Sequence, residues 1–131
     1  MRLLLDTHVL LGLADHGLTS IPREARSALN QPGNRVFHSV ASLWETAIKH
    51  RLGKLPLPCP IVEWPAVLQQ LGIEALNVVT EHVIAEIDPW PDTKDPFDRL
   101  LLAVAQVEGM KLLTLDDRLR AHPLAWHPAS A

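Results

Sequence analysis

Carboxylates stand at four places along this 131-residue chain where the apolar pattern predicts that a strand ends or a helix begins. Asp6 directly follows the apolar run 3–5, and Asp116 follows the apolar run 112–115. Glu45 lies near the start of a predicted helix, and Asp98 lies in the first turn of another. Ligands of open parallel sheets bind outside the carboxyl ends of the strands. We therefore expect the four carboxylates to meet at one edge of a sheet.

Carboxylates that converge repel each other, and a hard divalent cation relieves that repulsion. Mg²⁺ prefers oxygen ligands and is usually held by a few carboxylates together with waters and substrate phosphate. Such an ion orients a phosphodiester, activates a water nucleophile and stabilises the departing oxygen. The four acids therefore indicate a metal site suited to phosphodiester hydrolysis.

Helix capping is the alternative interpretation for two of these acids. Asp6 follows a strand and is suited to cap the next helix. Ser42 and Glu45 have the spacing of a capping box, in which the Glu45 side chain bonds back to the Ser42 N–H. The apolar spacing, however, places the start of that helix nearer Ser39.

The other two acids have structural alternatives as well. Asp95 precedes Pro96 and is a good N-cap, which puts Asp98 at the third helical position, where an acid favours the helix dipole. Asp116 and Asp117 are compatible with a simple turn, and this pair leaves a one-residue ambiguity in the last acid. We favour Asp116 because it directly ends the apolar run.

Short apolar runs alternate with segments of helical periodicity along the chain. The predicted strands cover 2–5, 35–37, 73–79 and 112–115, and the predicted helices cover 8–14, 22–29, 39–52, 61–71, 80–87 and 97–108. This alternation predicts an α/β fold with a central, mainly parallel sheet. The length fits one domain, which we expect over residues 1–131.

Composition narrows the class of protein further. The chain has 12 Lys and Arg against 15 Asp and Glu, a formal net charge of −3, which argues against binding nucleic acid by bulk positive charge. A metal-dependent nuclease remains compatible with that charge, since its acids would hold cations. No segment approaches the roughly 20 apolar residues of a membrane span, and Cys59 stands alone. We expect a cytoplasmic protein without membrane contact.

A cluster of basic side chains and two tryptophans are of interest for nucleic-acid binding. Lys49, His50, Arg51 and Lys54 form a basic cluster that is either a solvated helix end or a track for phosphates. Trp44 has helical spacing and is predicted to lie in the core. Trp90, which stands among prolines, is predicted to be exposed.

Four short motifs occur in a fixed order along almost the whole chain. They are LLLDTH at 3–8, SVASLWE at 39–45, DPFDR at 95–99 and LTLD at 113–116, with IKHRLGKL at 48–55 as a further match. Together they resemble the PIN-domain ribonucleases, in particular the VapC-like toxins of bacterial type II toxin–antitoxin pairs. The resemblance implies a three-layer α/β/α sandwich.

The resemblance also implies a Mg²⁺- or Mn²⁺-dependent endoribonuclease that hydrolyses RNA with water activated by the metal. Its metal-binding and catalytic acids fall on Asp6, Glu45, Asp98 and Asp116. Thr7 and Arg99 are the implied substrate-binding residues. The implied partners are RNA, a cognate antitoxin and a second copy in a homodimer, with DNA contacted only through the antitoxin.

One stretch departs from the family pattern, and other classes of protein remain. Relatives with DPFDR often have His residues just before it, whereas this chain has Pro-Asp-Thr-Lys at 91–94.

A phosphoaspartyl phosphatase requires a second Asp two residues after the first, where this chain has His8. A receiver-like domain leaves Glu45 unexplained. A catalytically inactive PIN-like binding module is the remaining alternative.

Overall fold

A parallel four-stranded sheet forms the centre of the computed structural model, which describes residues 1–128. The strands are β1 (Arg2–Leu5), β2 (Arg35–Ser39), β3 (Ile73–Leu76) and β4 (Lys111–Leu113), in the spatial order β3-β2-β1-β4. All three pairings are parallel, and β1 lies between β2 and β4. The predicted parallel sheet is confirmed. Residues 129–131 of the predicted domain lie outside the described residues.

Seven α-helices accompany the strands within residues 1–128. They are α1 (Thr7–His16), α2 (Arg23–Asn30), α3 (Val40–Arg51), α4 (Trp64–Gln70), α5 (Thr80–Ile84), α6 (Pro96–Glu108) and α7 (Asp117–Arg120). Short 3₁₀ helices cover Gly17–Ser20 and Ile61–Glu63. In this part of the chain, every helix is too short or too polar to cross a membrane.

Several predicted elements differ from the observed ones. The helix predicted over 80–87 ends at Ile84, and the strand predicted over 112–115 ends at Leu113, so Asp116 does not directly follow β4 as predicted. The strand predicted over 73–79 ends at Leu76, because the chain leaves the sheet before α5 begins at Thr80. The residues after Asp116 form the short helix α7, where the sequence was compatible with a simple turn.

The two faces of the sheet carry separate apolar clusters, since successive strand side chains point to opposite sides. Leu3 and Leu5 of β1 pack in one cluster with residues of α1, α2 and α4. Leu4 packs in the other cluster, which is dominated by α6. Helices therefore cover both faces, and the α/β/α sandwich implied by the resemblance is confirmed. Its central strand β1 ends at Leu5, directly before Asp6.

Candidate metal centre

Asp6 directly follows the central strand, and only 2% of its surface is exposed. Its Oδ2 accepts a hydrogen bond of 2.7 Å from the hydroxyl of Thr114. Burial is the main cause that raises the pKa of Asp6, and the nearby Glu45 carboxylate raises it further. Asp6 occupies the N-cap position of α1, but its side chain makes no capping bond within the described chain. The capping interpretation is therefore wrong for Asp6.

Glu45 lies well inside α3, which begins after Ser39. The Ser39 hydroxyl oxygen accepts a hydrogen bond from the Ala41 N–H at 3.1 Å, so Ser39 is the N-cap and the capping box of Ser42 with Glu45 is wrong. Glu45 is buried, with 4% of its surface exposed. Its Oε1 accepts from the Thr7 hydroxyl at 2.8 Å, and its Oε2 accepts from Lys49 Nζ at 2.5 Å.

Thr7, which the resemblance assigns to substrate binding, holds Glu45 in this structure. Its side chain is buried beneath the site, where its hydroxyl also shares a hydrogen bond of 2.9 Å with Ser42 Oγ. Because an ionised carboxylate can only accept, the Thr7 hydroxyl donates its hydrogen to Glu45. Thr7 and Ser42 together fix the orientation of that carboxylate.

Asp98 lies at the third position of α6, as the sequence predicts. Oδ1 of Asp95 accepts from the N–H groups of Phe97 and Asp98 at 2.8 and 3.2 Å, so Asp95 is confirmed as the N-cap. The Asp98 carboxylate accepts instead from the Thr93 hydroxyl at 3.2 Å.

The negative charges of other acids act on the Asp98 carboxylate. Partial burial is the largest cause that raises its pKa to about 6, followed by the negative charges of Asp95, Asp6 and Glu45. Residues far apart in sequence thus repel each other at one place. Asp6 and Glu45 therefore lie near enough to Asp98 for their charges to act on it.

Asp116 is a helix cap in this structure. Its Oδ1 accepts from the Arg118 N–H at 2.9 Å at the start of α7. Its own N–H donates to the Thr114 hydroxyl at 3.1 Å, which connects it to Asp6. Asp117, the other candidate for the last acid, has a side chain that is 98% exposed and lies 3.9 Å from Arg120.

Two threonines that the sequence reasoning missed support the acids. Thr93 and Thr114 each stand two residues before a capping aspartate, and each hydroxyl oxygen accepts the N–H of that aspartate. Each hydroxyl then donates to a site carboxylate, Thr93 to Asp98 and Thr114 to Asp6. The repeated Thr-x-Asp pattern before a helix is the sequence signal that would have found them.

Arg99 and Trp90 flank the site on the side of α6. Nε of Arg99 donates to the Thr93 carbonyl at 2.8 Å, and its guanidinium group lies 5.0 Å from the centre of the Trp90 ring. Trp90 is 63% exposed, which confirms the prediction for that residue.

Trp44 is 64% exposed, so its predicted place in the core is wrong. The inward side of α3 consists of Ala41, Ser42, Glu45 and Thr46, and the site residues occupy positions that an apolar stripe normally takes. Trp44 instead packs edge-on against Phe97 of α6, with ring centres 5.6 Å apart.

The donor set has the chemistry that a hard divalent cation requires, because carboxylate oxygens are its preferred ligands. The mutual repulsion that raises the pKa of Asp98 is the repulsion that such a cation relieves. Within residues 1–128, no group of three or more His, Cys, Asp or Glu side chains already stands close enough together to hold a metal ion. Each carboxylate instead accepts from a donor of the chain.

Fold and site together describe an α/β/α sandwich with an acidic group at the carboxyl end of its central parallel strand. The PIN domain family model matches residues 3–123, and the chain belongs to this family. Ribonuclease VapC22 of Mycobacterium tuberculosis is 30% identical over 125 residues, which cover 91% of this chain and 90% of that protein. Ribonuclease VapC16 of the same organism is 38% identical over 60 residues, which cover 45% of this chain and less than half, 43%, of that protein. The resemblance to VapC-like PIN proteins is confirmed.

Proposed function

We propose that this PIN-domain protein is a metal-dependent endoribonuclease and the toxin of a type II toxin–antitoxin pair. The observation that carries the proposal is the group of Asp6, Glu45 and Asp98, whose negative charges meet at the end of β1. The names of the two relatives, both ribonucleases, support RNA as the substrate.

Mg²⁺ or Mn²⁺ is the proposed cofactor, with Asp6, Glu45, Asp98 and Asp116 as the residues that would hold it. When bound, such an ion would polarise the phosphodiester and lower the pKa of a water molecule. Hydrolysis by water leaves a 5′-phosphate and a 3′-hydroxyl end and needs no attack by the ribose 2′-hydroxyl.

The surrounding side chains orient the acids and contact the substrate. The hydroxyls of Thr7, Thr93 and Thr114 point the carboxylates of Glu45, Asp98 and Asp6 through direct hydrogen bonds. Arg99 is held beside Asp98 by the Thr93 carbonyl, and we propose that its guanidinium group contacts an RNA phosphate.

A catalytically inactive acidic-pocket module is the second candidate. It is favoured by the engagement of Asp116 in capping α7 and by the ion pair that already neutralises Glu45. Cleavage experiments separate it from the nuclease.

The test is incubation of the protein with structured RNA and Mn²⁺ or Mg²⁺, followed by analysis of the product ends. We expect 5′-phosphate products whose formation stops with EDTA and in Asp98→Asn, while Asp117→Asn, which changes an exposed acid, cleaves normally. Cleavage that resists EDTA would contradict the metal dependence. Turnover of phosphate monoesters without RNA cleavage would contradict the nuclease assignment.

The proposed assembly is a cytoplasmic homodimer bound by a cognate antitoxin, which alone contacts DNA. Exposed apolar side chains support a protein interface. They are Leu52, directly after α3, which is 62% exposed, and Val83 and Ile84 of α5, which are 66% and 71% exposed. Sedimentation at micromolar concentration should show a dimer. A strict monomer there would contradict the homodimer.

A further inference from the structure

Lys49 brings a positive charge into the acidic site. It follows Glu45 by one turn of α3, and its Nζ lies 2.5 Å from Oε2 of Glu45. The Glu45 side chain is only 6% exposed, whereas the Lys49 side chain is 37% exposed. The hydrogen bond to Glu45 is the largest cause that raises the pKa of Lys49, and the charges of Asp95 and Asp98 raise it further. One ammonium group therefore faces carboxylates of both α3 and α6.

The other members of the basic cluster have different surroundings. Nδ1 of His50 is hydrogen-bonded to the Leu55 carbonyl at 2.8 Å, away from the acids. Arg51 and Lys54 are exposed at the end of α3. The cluster predicted from the sequence thus divides, and Lys49 belongs to the acidic site while its neighbours form a solvated helix end.

We propose that Lys49 is the resident counter-ion of the acidic site, where it holds Glu45 in place without metal and competes with a divalent cation for Oε2. This inference rests on the proposed metal site. A lone pair of Oε2 that accepts from the ammonium group is not available to a metal, and the two cations repel each other. Metal binding through that lone pair therefore requires Lys49 to leave Glu45, and the Lys49 side chain is partly exposed.

The proposal predicts opposite effects of one substitution on metal affinity and on metal-free stability. Lys49→Met keeps much of the side-chain stem and removes the charge. We expect its dissociation constant for Mn²⁺, measured by calorimetry at fixed ionic strength, to fall by about ten-fold, since a neighbouring positive charge is gone. We expect its melting temperature without metal to fall, because the buried Glu45 carboxylate loses its partner.

Matched variants separate this role from a general effect of charge or folding. Lys54→Met removes the same charge from the exposed end of the cluster and should leave both quantities unchanged. Lys49→Arg keeps the charge and should retain the parent Mn²⁺ affinity, even if Lys49→Met folds poorly. Equal tightening in the two Met variants would show an effect of net charge and would overturn the specific role of Lys49.

Failure of this inference and failure of the proposed function give different results. A parent protein that binds Mn²⁺ and a Lys49→Met variant that binds it no more tightly would overturn the competition alone. A parent protein that binds no Mn²⁺ would overturn the proposed metal site, and with it the competition.

The counter-ion role is tested without metal by a double-mutant cycle of Glu45→Gln and Lys49→Met. Additive changes in melting temperature would overturn that role.

Discussion

The hydroxyl of Thr114 donates a 2.7 Å hydrogen bond to Oδ2 of Asp6 across 108 positions of sequence. The parallel pairing of β1 with β4 permits this contact, because Leu5 lies opposite Leu113 and Asp6 and Thr114 directly follow them. The same hydroxyl oxygen accepts the N–H of Asp116. One threonine side chain therefore ties the central acid to the loop that leads into α7.

Thr114→Val should lower both stability and RNA cleavage. Valine has the same shape but leaves the buried Asp6 carboxylate without its donor, at a cost of about 1–3 kcal/mol in the free energy of unfolding. Thr114→Ser keeps the hydroxyl and should restore most of the loss. Urea denaturation and a cleavage assay measure the two effects.

Thr19→Val is the control, since the exposed Thr19 hydroxyl bonds to the His16 carbonyl far from the acids. Equal stability of Thr114→Val and the parent would contradict this role.

The end of β1 and the start of α6 were the parts of the site that the sequence predicted well. An apolar run that stops at an acid locates Asp6 at the end of β1, and the Asp-Pro pair locates the N-cap of α6. Both signals are local, because strand burial and proline geometry act over a few residues. The prediction that Asp98 lies in the first turn of α6 follows from the same local rule.

The orientation of α3 was not predictable from local rules. Trp44 of this helix was predicted to lie in the core, yet the structure buries Glu45 and Thr46 and exposes Trp44 and Ile48. Glu45 is buried where Thr7 of α1 and Lys49 of α3 bond to its carboxylate. The Lys49 contact is local to α3, but the Thr7 contact arises only when α1 and α3 pack together. Periodicity detects a helix but misidentifies its inward face when that face carries a polar site.

Replacing a central acid should stabilise the metal-free protein while it abolishes cleavage. Asp98→Asn and Asp6→Asn each remove a negative charge from a group that is desolvated and repelled by its neighbours. We expect each to raise the free energy of unfolding by about 1 kcal/mol, the trade-off typical of strained functional sites. Asp117→Asn, at an exposed position, should change neither property. A lower melting temperature in both Asn variants would indicate structural roles for these acids instead.

The pKa of Asp98 predicts how this stabilisation depends on pH. The folded-state pKa of about 6 lies above the ordinary value of 3.8, so the folded protein binds more protons between these two values. The energetic penalty of the charged Asp98 is therefore full above pH about 6 and disappears as the pH falls toward 4. The stability difference between Asp98→Asn and the parent should shrink over the same range.

Measuring that difference by urea denaturation at several pH values cancels the titrating groups that do not interact with Asp98. His38 is one group of opposite sign, because burial lowers its pKa and it destabilises the fold as the pH falls. It is present in both proteins and drops out of the comparison. A stability difference that stays constant from pH 7 to 4 would show that the Asp98 carboxyl does not titrate near 6.

Asp116 has two roles that one pair of substitutions can separate. Asn is as good an N-cap as Asp, so Asp116→Asn should keep the stability of the parent within about 0.5 kcal/mol, whereas Asp116→Ala should lose about 1 kcal/mol. If Asp116 also helps to hold the metal ion, Asp116→Asn should reduce RNA cleavage by at least about ten-fold despite its intact fold, because it lacks the negative charge. Urea denaturation and a cleavage assay with Mn²⁺ measure both quantities, with Asp117→Asn as the matched control. Full cleavage by Asp116→Asn would restrict Asp116 to the cap of α7 and leave the metal to Asp6, Glu45 and Asp98.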